Sequence, residues 1–356
     1  MTGSLTFDDY KILLSNNNLQ GNSNIHNQIQ PSSIDLTLSE ECYEIKSSFL
    51  SPKKKLRDKL SDMIINKIDL SKKEIFKKNT TYIVRLNEKL SLNQDIRGLC
   101  NPKSSTGRLD IFCRTILDYS DEYEKIPLNY SGEIFLEITS QSFDIEFHAG
   151  DSLNQMRLVF LNNDYMDDET LMKLNENQTI VFDENNNKIK PYVNNGLKVS
   201  VDLSSKNLVS AYKAKKKTPV LIFSKIHNHK KNYFWVPIET KNNSLIIERD
   251  NFYILRSKEK IRIPPNMAGE MVPYDTGIGD FRVHYAGFFD PGFGDPDGSF
   301  AVLEVKTNEV PFLLEDGQTI ARIKYEKLNK ESSVVYGKEI KSNYQNQRLA
   351  LSKHFI

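Results

Sequence analysis

Cysteine is scarce: three residues in 356, Cys42, Cys100 and Cys113, with no C-x-x-C spacing. That excludes a disulfide scaffold and points to thiols kept reduced. No run of about 18 apolar residues occurs, so no membrane-spanning helix is expected. The segment Met1 to Asp8 has neither a basic start nor an apolar run and does not read as a signal peptide. A soluble, cytoplasmic protein is the expectation. A basic excess is missing too. The chain carries 48 Lys and Arg against 47 Asp and Glu, a formal charge of +1, which argues against nucleic acid as a partner. A local cationic pocket for one small anion stays open.

Residues that are 38% hydrophobic over this length can bury one large core or two ordinary ones. The apolar material comes in short β-rich runs such as Thr81–Val84, Gly132–Ile138 and Thr218–Phe223, punctuated by turn residues. This predicts a mainly β protein with few short helices. Helical spacing of Leu56, Leu60, Met63, Ile64 and Ile68 predicts one helix, and Asp8 to Leu14 a shorter one. From about Asn162 to Pro191 the chain is polar and acidic and reads as a connection. The Lys213-Ala214-Lys215-Lys216-Lys217 run reads as a solvated loop.

An internal repeat organises the rest. Tyr82-Ile83-Val84-Arg85 resembles Tyr253-Ile254-Leu255-Arg256 at an offset of 171, which also aligns Gly98 with Gly269 and Pro102 with Pro273. Leu136-Glu137-Ile138 matches Leu303-Glu304-Val305, and Gly150 matches Gly317, at 167. Two domains follow: 1–165, a polar connection 166–195, and 196–356.

Two segments carry chemistry. Lys103-Ser104-Ser105-Thr106-Gly107-Arg108 offers cations, hydroxyls and a glycine, either a phosphate cradle or an ordinary polar turn. His284-Tyr285-Ala286-Gly287-Phe288-Phe289-Asp290-Pro291-Gly292-Phe293-Gly294, followed by Gly298 to Val305, reads as a hairpin. Strand alternation puts Ala301, Leu303 and Val305 on one face and Phe300, Val302 and Glu304 on the other. A carboxylate in such apolar surroundings should have a raised pKa and could take and return a proton, unless it lies on a solvent face.

In this order, Lys-Ser-Ser-x-x-Arg, Tyr-Ala-Gly-Phe-Phe-Asp-Pro-Gly-Phe-Gly and Val-Leu-Glu resemble the dCTP deaminase branch of the dUTPase superfamily, in its long duplicated bacterial form. Gln30-Pro31-Ser32-Ser33-Ile34-Asp35-Leu36 is similar to that family's opening strand, and Tyr336 with Asn343 to Gln347 to its closing tail. The resemblance implies a tandem duplication of the dUTPase-like β-clip fold. It implies that Lys103, Ser104, Ser105, Thr106, Gly107 and Arg108 hold the triphosphate. Ala286 would meet the cytosine through its backbone, Asp290 would lie near the sugar, and Val302 and Leu303 would line the base pocket. Glu304 would be the catalytic carboxylate, and Tyr336 and Gln347 would close over the phosphates. The family usually has lysine where this chain has Asn343, with Lys341 as a substitute.

At the aligned positions repeat 2 has Asp275, Thr276 and Gly279 for Ser104, Ser105 and Arg108, while repeat 1 lacks the Ala-Gly and Asp-Pro-Gly elements. Each half keeps what the other has lost, so one composite site type is expected. Zinc deaminases use an H-x-E and P-C-x-x-C pattern absent here, and His227 and His229 read as a loop feature. The resemblance thus implies metal-free conversion of dCTP to dUTP and ammonia. Mg²⁺ would accompany the triphosphate, dTTP would act as feedback inhibitor, and a trimer-type homo-oligomer would form. The rival readings are a dUTPase, a bifunctional deaminase that releases pyrophosphate, and a non-catalytic nucleotide sensor.

Overall fold

The computed structural model describes residues 2–162, 165–273, 281–283, 287–307, 310–340 and 344–356. It is mainly β, and the longest of its few helices, Asp168–Asn177, has 10 residues. No helix among the described residues is long and apolar enough to cross a membrane.

In the first half, strands Ile64–Asp69, Leu38–Ile45, Thr81–Ser91, Ser131–Ser140 and Ile111–Leu117 lie side by side in that order. In the second, Trp235–Ile238, Ala211–Ala214, Phe252–Ile261, Ser299–Thr307 and Phe281–Val283 follow the same plan. A four-stranded sheet backs each: Ile34–Leu36, Asn154–Phe160, Ile96–Pro102 and Lys125–Ile126, against Leu197–Ser200, Thr319–Lys327, Met267–Pro273 and Phe288–Phe289. Register agrees as well as order. Ile83 faces Glu137 across one central ladder, and Ile254 faces Glu304 across the other. Gly150 and Gly317 both take positive φ, 92° and 78°, in the turns before Asn154–Phe160 and Thr319–Lys327, where a side chain would be strained.

The halves share apolar material. Leu221–Ile222 pairs in parallel with Ile145–Glu146 of the first half, and Phe223, Phe234, Trp235 and Phe355 enter the first core beside Phe143 and Phe147. At roughly 1.5–3 kcal/mol per fully buried large side chain, these aromatics make a strong joint. The inter-half geometry is therefore fixed by packing.

Three expectations need correction. The helix drawn through Leu56 and Ile68 stops at Leu60, and Ile64–Asp69 is a strand on Leu38–Ile45. Its β-branched isoleucines find a sheet edge, and tertiary pairing overrides the helical spacing. Residues 166–195 are more than a connection. Asp168–Asn177, N-capped by Asp167, buries Leu171 and Leu174 in the second core, and Val181–Phe182 pairs with Lys260–Ile261. The supposed hairpin also separates: Phe288–Phe289 pairs with Gly269–Glu270 in one sheet, while Ser299–Thr307 runs between Phe252–Ile261 and Phe281–Val283 in the other. The expected short helix is present as Phe7–Ser15, closed by a Thr6–Asp9 capping box.

Candidate active site

The strand Ile96–Pro102 delivers the chain into a one-turn helix, Ser104–Gly107, pinned by Thr106 N–H and Gly107 N–H donating to the Lys103 carbonyl at 2.8 and 3.0 Å. In so short a turn Ser104, Ser105 and Arg108 share one side, which with Lys103 lines a cavity of about 250 Å³. Thr106 and Gly107 lie behind that wall, with Thr106 fully buried and its hydroxyl facing no partner. Of the six cradle residues, four therefore reach the cavity and two shape the turn.

The opposite wall comes from the second half. Along Ser299–Thr307 alternation sends Ala301, Leu303 and Val305 into the second core and turns Val302 to the first. Val302 lines the cavity; Leu303, expected in the base pocket, does not, because its side chain fills the core behind. Asp290 lines the cavity between Phe289 and Phe293. Ser32 and Ser33 of the opening strand motif donate to its Oδ1 at 2.9 and 3.4 Å, and Arg157 stands 3.6 Å away. Burial raises the Asp290 pKa, while Arg157 and the serine hydroxyls oppose that. Ala286, the position expected to meet the base, lies outside the described residues.

Glu304 is 4% exposed and faces Arg108, whose Nε is 4.0 Å from Oε1. Burial pushes its pKa up to about 8, against the pull of the Arg108 charge and its own backbone amide. Beside it lies a void of about 20 Å³, walled by Lys103, Ser104, Met271, Gly287, Phe288 and Val302. A space of roughly this size admits one water. A raised pKa alone would not mark the site. Glu124 is also pushed to about 8 by burial, yet it accepts from Thr115 N–H at 2.9 Å and lines no described cavity. Glu304 differs by the void it lines.

The C-terminal segment folds over this cleft. Gln347 accepts from Arg108 at 2.8 Å through Oε1 and donates to the Phe300 carbonyl at 2.8 Å, bridging the halves. The Arg108 guanidinium lies 3.9 Å from the Tyr344 ring centre and donates to the Ala350 carbonyl at 3.1 Å. Tyr336 lines the cavity near Phe293. Lys341 and Asn343 lie outside the described residues.

Sequence reasoning missed three contributors. Lys353 lines the cavity, its pKa lowered by burial and by the nearby Lys103 charge. Asp35 lines it too and pairs with Lys103. Arg157 is 1% exposed in its side chain and reaches across the halves to the Gly269 carbonyl at 2.9 Å and to Glu326 at 3.1 Å. A readable signal existed for it: an arginine inside the apolar run Met156-Arg157-Leu158-Val159-Phe160 needs a buried partner.

Residues 1–162 match the family described as 2'-deoxycytidine 5'-triphosphate deaminase (DCD) N-terminal domain, and residues 167–355 the corresponding C-terminal domain. The chain belongs to the 2'-deoxycytidine 5'-triphosphate deaminase family. Among solved structures it is similar to the crystal structure of 2'-deoxycytidine 5'-triphosphate deaminase from Agrobacterium tumefaciens. The identity is 38% over 93% of this chain and 99% of that one, with a TM-score of 0.87. A search of curated protein sequences finds no match. The family's chemistry is hydrolysis, with dCTP as substrate and dUTP and ammonia as products. Its dCTP deaminase members are enzymes of nucleotide metabolism.

Proposed function

We propose that this chain deaminates dCTP in the cleft between Arg108 and Glu304, with the triphosphate held by the first half and the pyrimidine by the second. The observation that carries the reading is that a cationic turn and a buried carboxyl from different halves come within 4.0 Å of each other, with Lys103, Ser104 and Val302 lining both the cavity and the small void beside Glu304. Lys103, Ser104, Ser105, Arg108 and Lys353 bind the phosphates, with Gln347 and Tyr336 closing the cleft. Val302 and the Ala286 backbone hold the base, and Asp290 orients the deoxyribose. The base enters beside Glu304, which takes a proton from a water as its oxygen attacks C4. The same carboxyl gives that proton to N3, then carries the remaining hydroxyl proton of the tetrahedral intermediate to the 4-amino group, so that the C4–N bond breaks, ammonia leaves and the C4 carbonyl of dUTP forms. A pKa near 8 suits a group that gives and takes a proton near neutral pH.

Water activation in this reading needs no zinc. Support comes from donor placement: Cys42, Cys100 and Cys113 are buried and none of them lines the cavity. Mg²⁺ arrives with the substrate, coordinated by phosphate oxygens, because the protein's phosphate end is chiefly cationic. dTTP shares the triphosphate and a pyrimidine ring, so it competes for the same cleft as feedback inhibitor. The matching strand order and register support a tandem duplication of a dUTPase-like fold, with repeat units at 1–165 and 196–356. Homo-oligomers of this cytoplasmic enzyme would add contacts without having to complete the cleft. The deciding assay incubates purified protein with dCTP and with dUTP and measures ammonia and pyrophosphate separately. Ammonia from dCTP without pyrophosphate is expected; pyrophosphate from either substrate would replace this reading with the bifunctional one.

A further inference from the structure

A second groove of about 230 Å³ opens between the halves. Asn79 and Ser142 of the first half face Lys215 and Lys216 of the second across it, with Lys78 at one edge and Lys306 in its floor. The charges there are only partly compensated, Lys306 by buried Asp110 and Lys216 by Glu248. Lys78, Lys215 and Lys216 each donate to a backbone carbonyl, of Lys216, Asn232 and Asp250 respectively, at 3.2, 2.6 and 2.5 Å. The Asp250 carboxylate at the rim is engaged by Arg249 at 3.3 Å. Lys306 is 12% exposed in its side chain, donates to Gln141 at 2.5 Å and stands 3.6 Å from buried Asp110. Four lysines thus line a space that also offers the Asn79 amide and the Ser142 hydroxyl. Ammonium groups beside a hydroxyl and an amide suit linked phosphate groups.

The groove adjoins the catalytic cleft through two short covalent links. Lys306 follows Glu304 by two residues on the same face of Ser299–Thr307, and Asp110 follows Arg108 by two residues. Ser142 Oγ donates to Asp110 Oδ2 at 2.6 Å, and Gln141 N–H to the Asp110 carbonyl at 3.0 Å, so the groove wall holds the end of the Arg108 loop. We propose that this groove is a second polyphosphate-binding site, distinct from the triphosphate cradle. An anion there draws Lys306 and Ser142 away from Asp110 and so lowers turnover at Glu304.

The test is calorimetry on the full chain with inorganic tripolyphosphate, and ATP as a second arm. The wild type is expected to bind two equivalents of tripolyphosphate, Arg108→Ala one, and Lys215→Glu/Lys216→Glu one. The charge reversals should weaken the groove event roughly tenfold or more, as loss of charge-assisted contacts requires. Tighter binding of ATP than of tripolyphosphate in Arg108→Ala assigns the groove to a nucleotide tail, the reverse order to free polyphosphate. A second event that survives the lysine exchanges, or a wild type that binds one equivalent lost with Arg108, overturns the site. This arm needs no turnover, so it stands apart from the deaminase reading, on which the coupling alone rests. In steady-state kinetics tripolyphosphate should lower kcat as well as raise KM for dCTP, with the kcat effect absent in Lys215→Glu/Lys216→Glu. An unchanged wild-type kcat overturns the coupling.

Discussion

Arg108 and Glu304 stand 4.0 Å apart, Nε to Oε1, with 196 positions of chain and the whole inter-half joint between them. Both are buried, and Arg108 Nε has no hydrogen-bond partner. Arg108 lowers the carboxyl's pKa while burial raises it more, so the pair is poised for protonation to change with the arrival of a substrate.

Glu304→Gln should cut ammonia release from dCTP by roughly 100- to 10,000-fold, the share that a positioned acid–base group supplies. Binding of dCTP, measured by calorimetry, should change little, because the phosphate contacts stay. Turnover that persists would move the base elsewhere.

The same exchange should stabilise the fold at alkaline pH. Glu304 has a folded pKa of about 8, above its unfolded value, so the folded state binds the proton more tightly. Its burial therefore costs nothing below about pH 4 and progressively more up to about pH 8, at about 1.4 kcal/mol per pH unit as an upper bound. Urea unfolding at pH 8 should show Glu304→Gln to be more stable than wild type by about 1–4 kcal/mol, with the gain vanishing near pH 4. Equal stability at both pH values would mean that the carboxyl is solvated.

Activity should follow the same proton in the opposite sense. The base must be ionised, so kcat/KM for dCTP rises from pH 6 and levels off above about 8. In Arg108→Gln the lost positive charge raises the carboxyl's pKa, and the acid limb moves to higher pH. A limb that stays in place would separate the two residues electrically.

Lys353→Met should raise KM for dCTP roughly 10- to 100-fold with a smaller change in kcat, as one charge-assisted phosphate contact of about 1.5–3 kcal/mol implies. Lys353→Arg should recover most of it. Steady-state kinetics that show kcat falling instead would make the residue a structural support of the tail.

Arg157→Met removes a buried cation shared by Glu326, Asp290 and three backbone carbonyls. Breaking such a cluster costs about 3–5 kcal/mol. Chemical denaturation should show that loss; a cost below 1 kcal/mol, about the worth of a surface ion pair, would mean the cluster is solvated.

How far this was legible in the sequence depends on whether a residue's role is local. The two-residue period of one strand puts Glu304 and Val302 on one face without tertiary knowledge, but whether that face meets solvent or a pocket is not in the period and rests on the family likeness. The same period put Leu303 on the other face, in the core, although the family likeness assigned it to the pocket. Ile64 and Ile68 were misread because a sheet edge decided their state. Thr106 and Gly107 were counted as ligands since a motif does not say which side of a turn is solvent. Lys353 and Arg157 stayed hidden because their partners are Lys103, Asp290 and Glu326, far away in the chain.

The most direct measurement is a crystal structure of Glu304→Gln with dCTP and Mg²⁺. The account predicts the triphosphate on Lys103, Ser104, Ser105 and Arg108, with cytosine C4 and a water within reach of residue 304 of the same chain. A nucleotide whose phosphates and base are held by different chains, or whose ring lies away from residue 304, would contradict it.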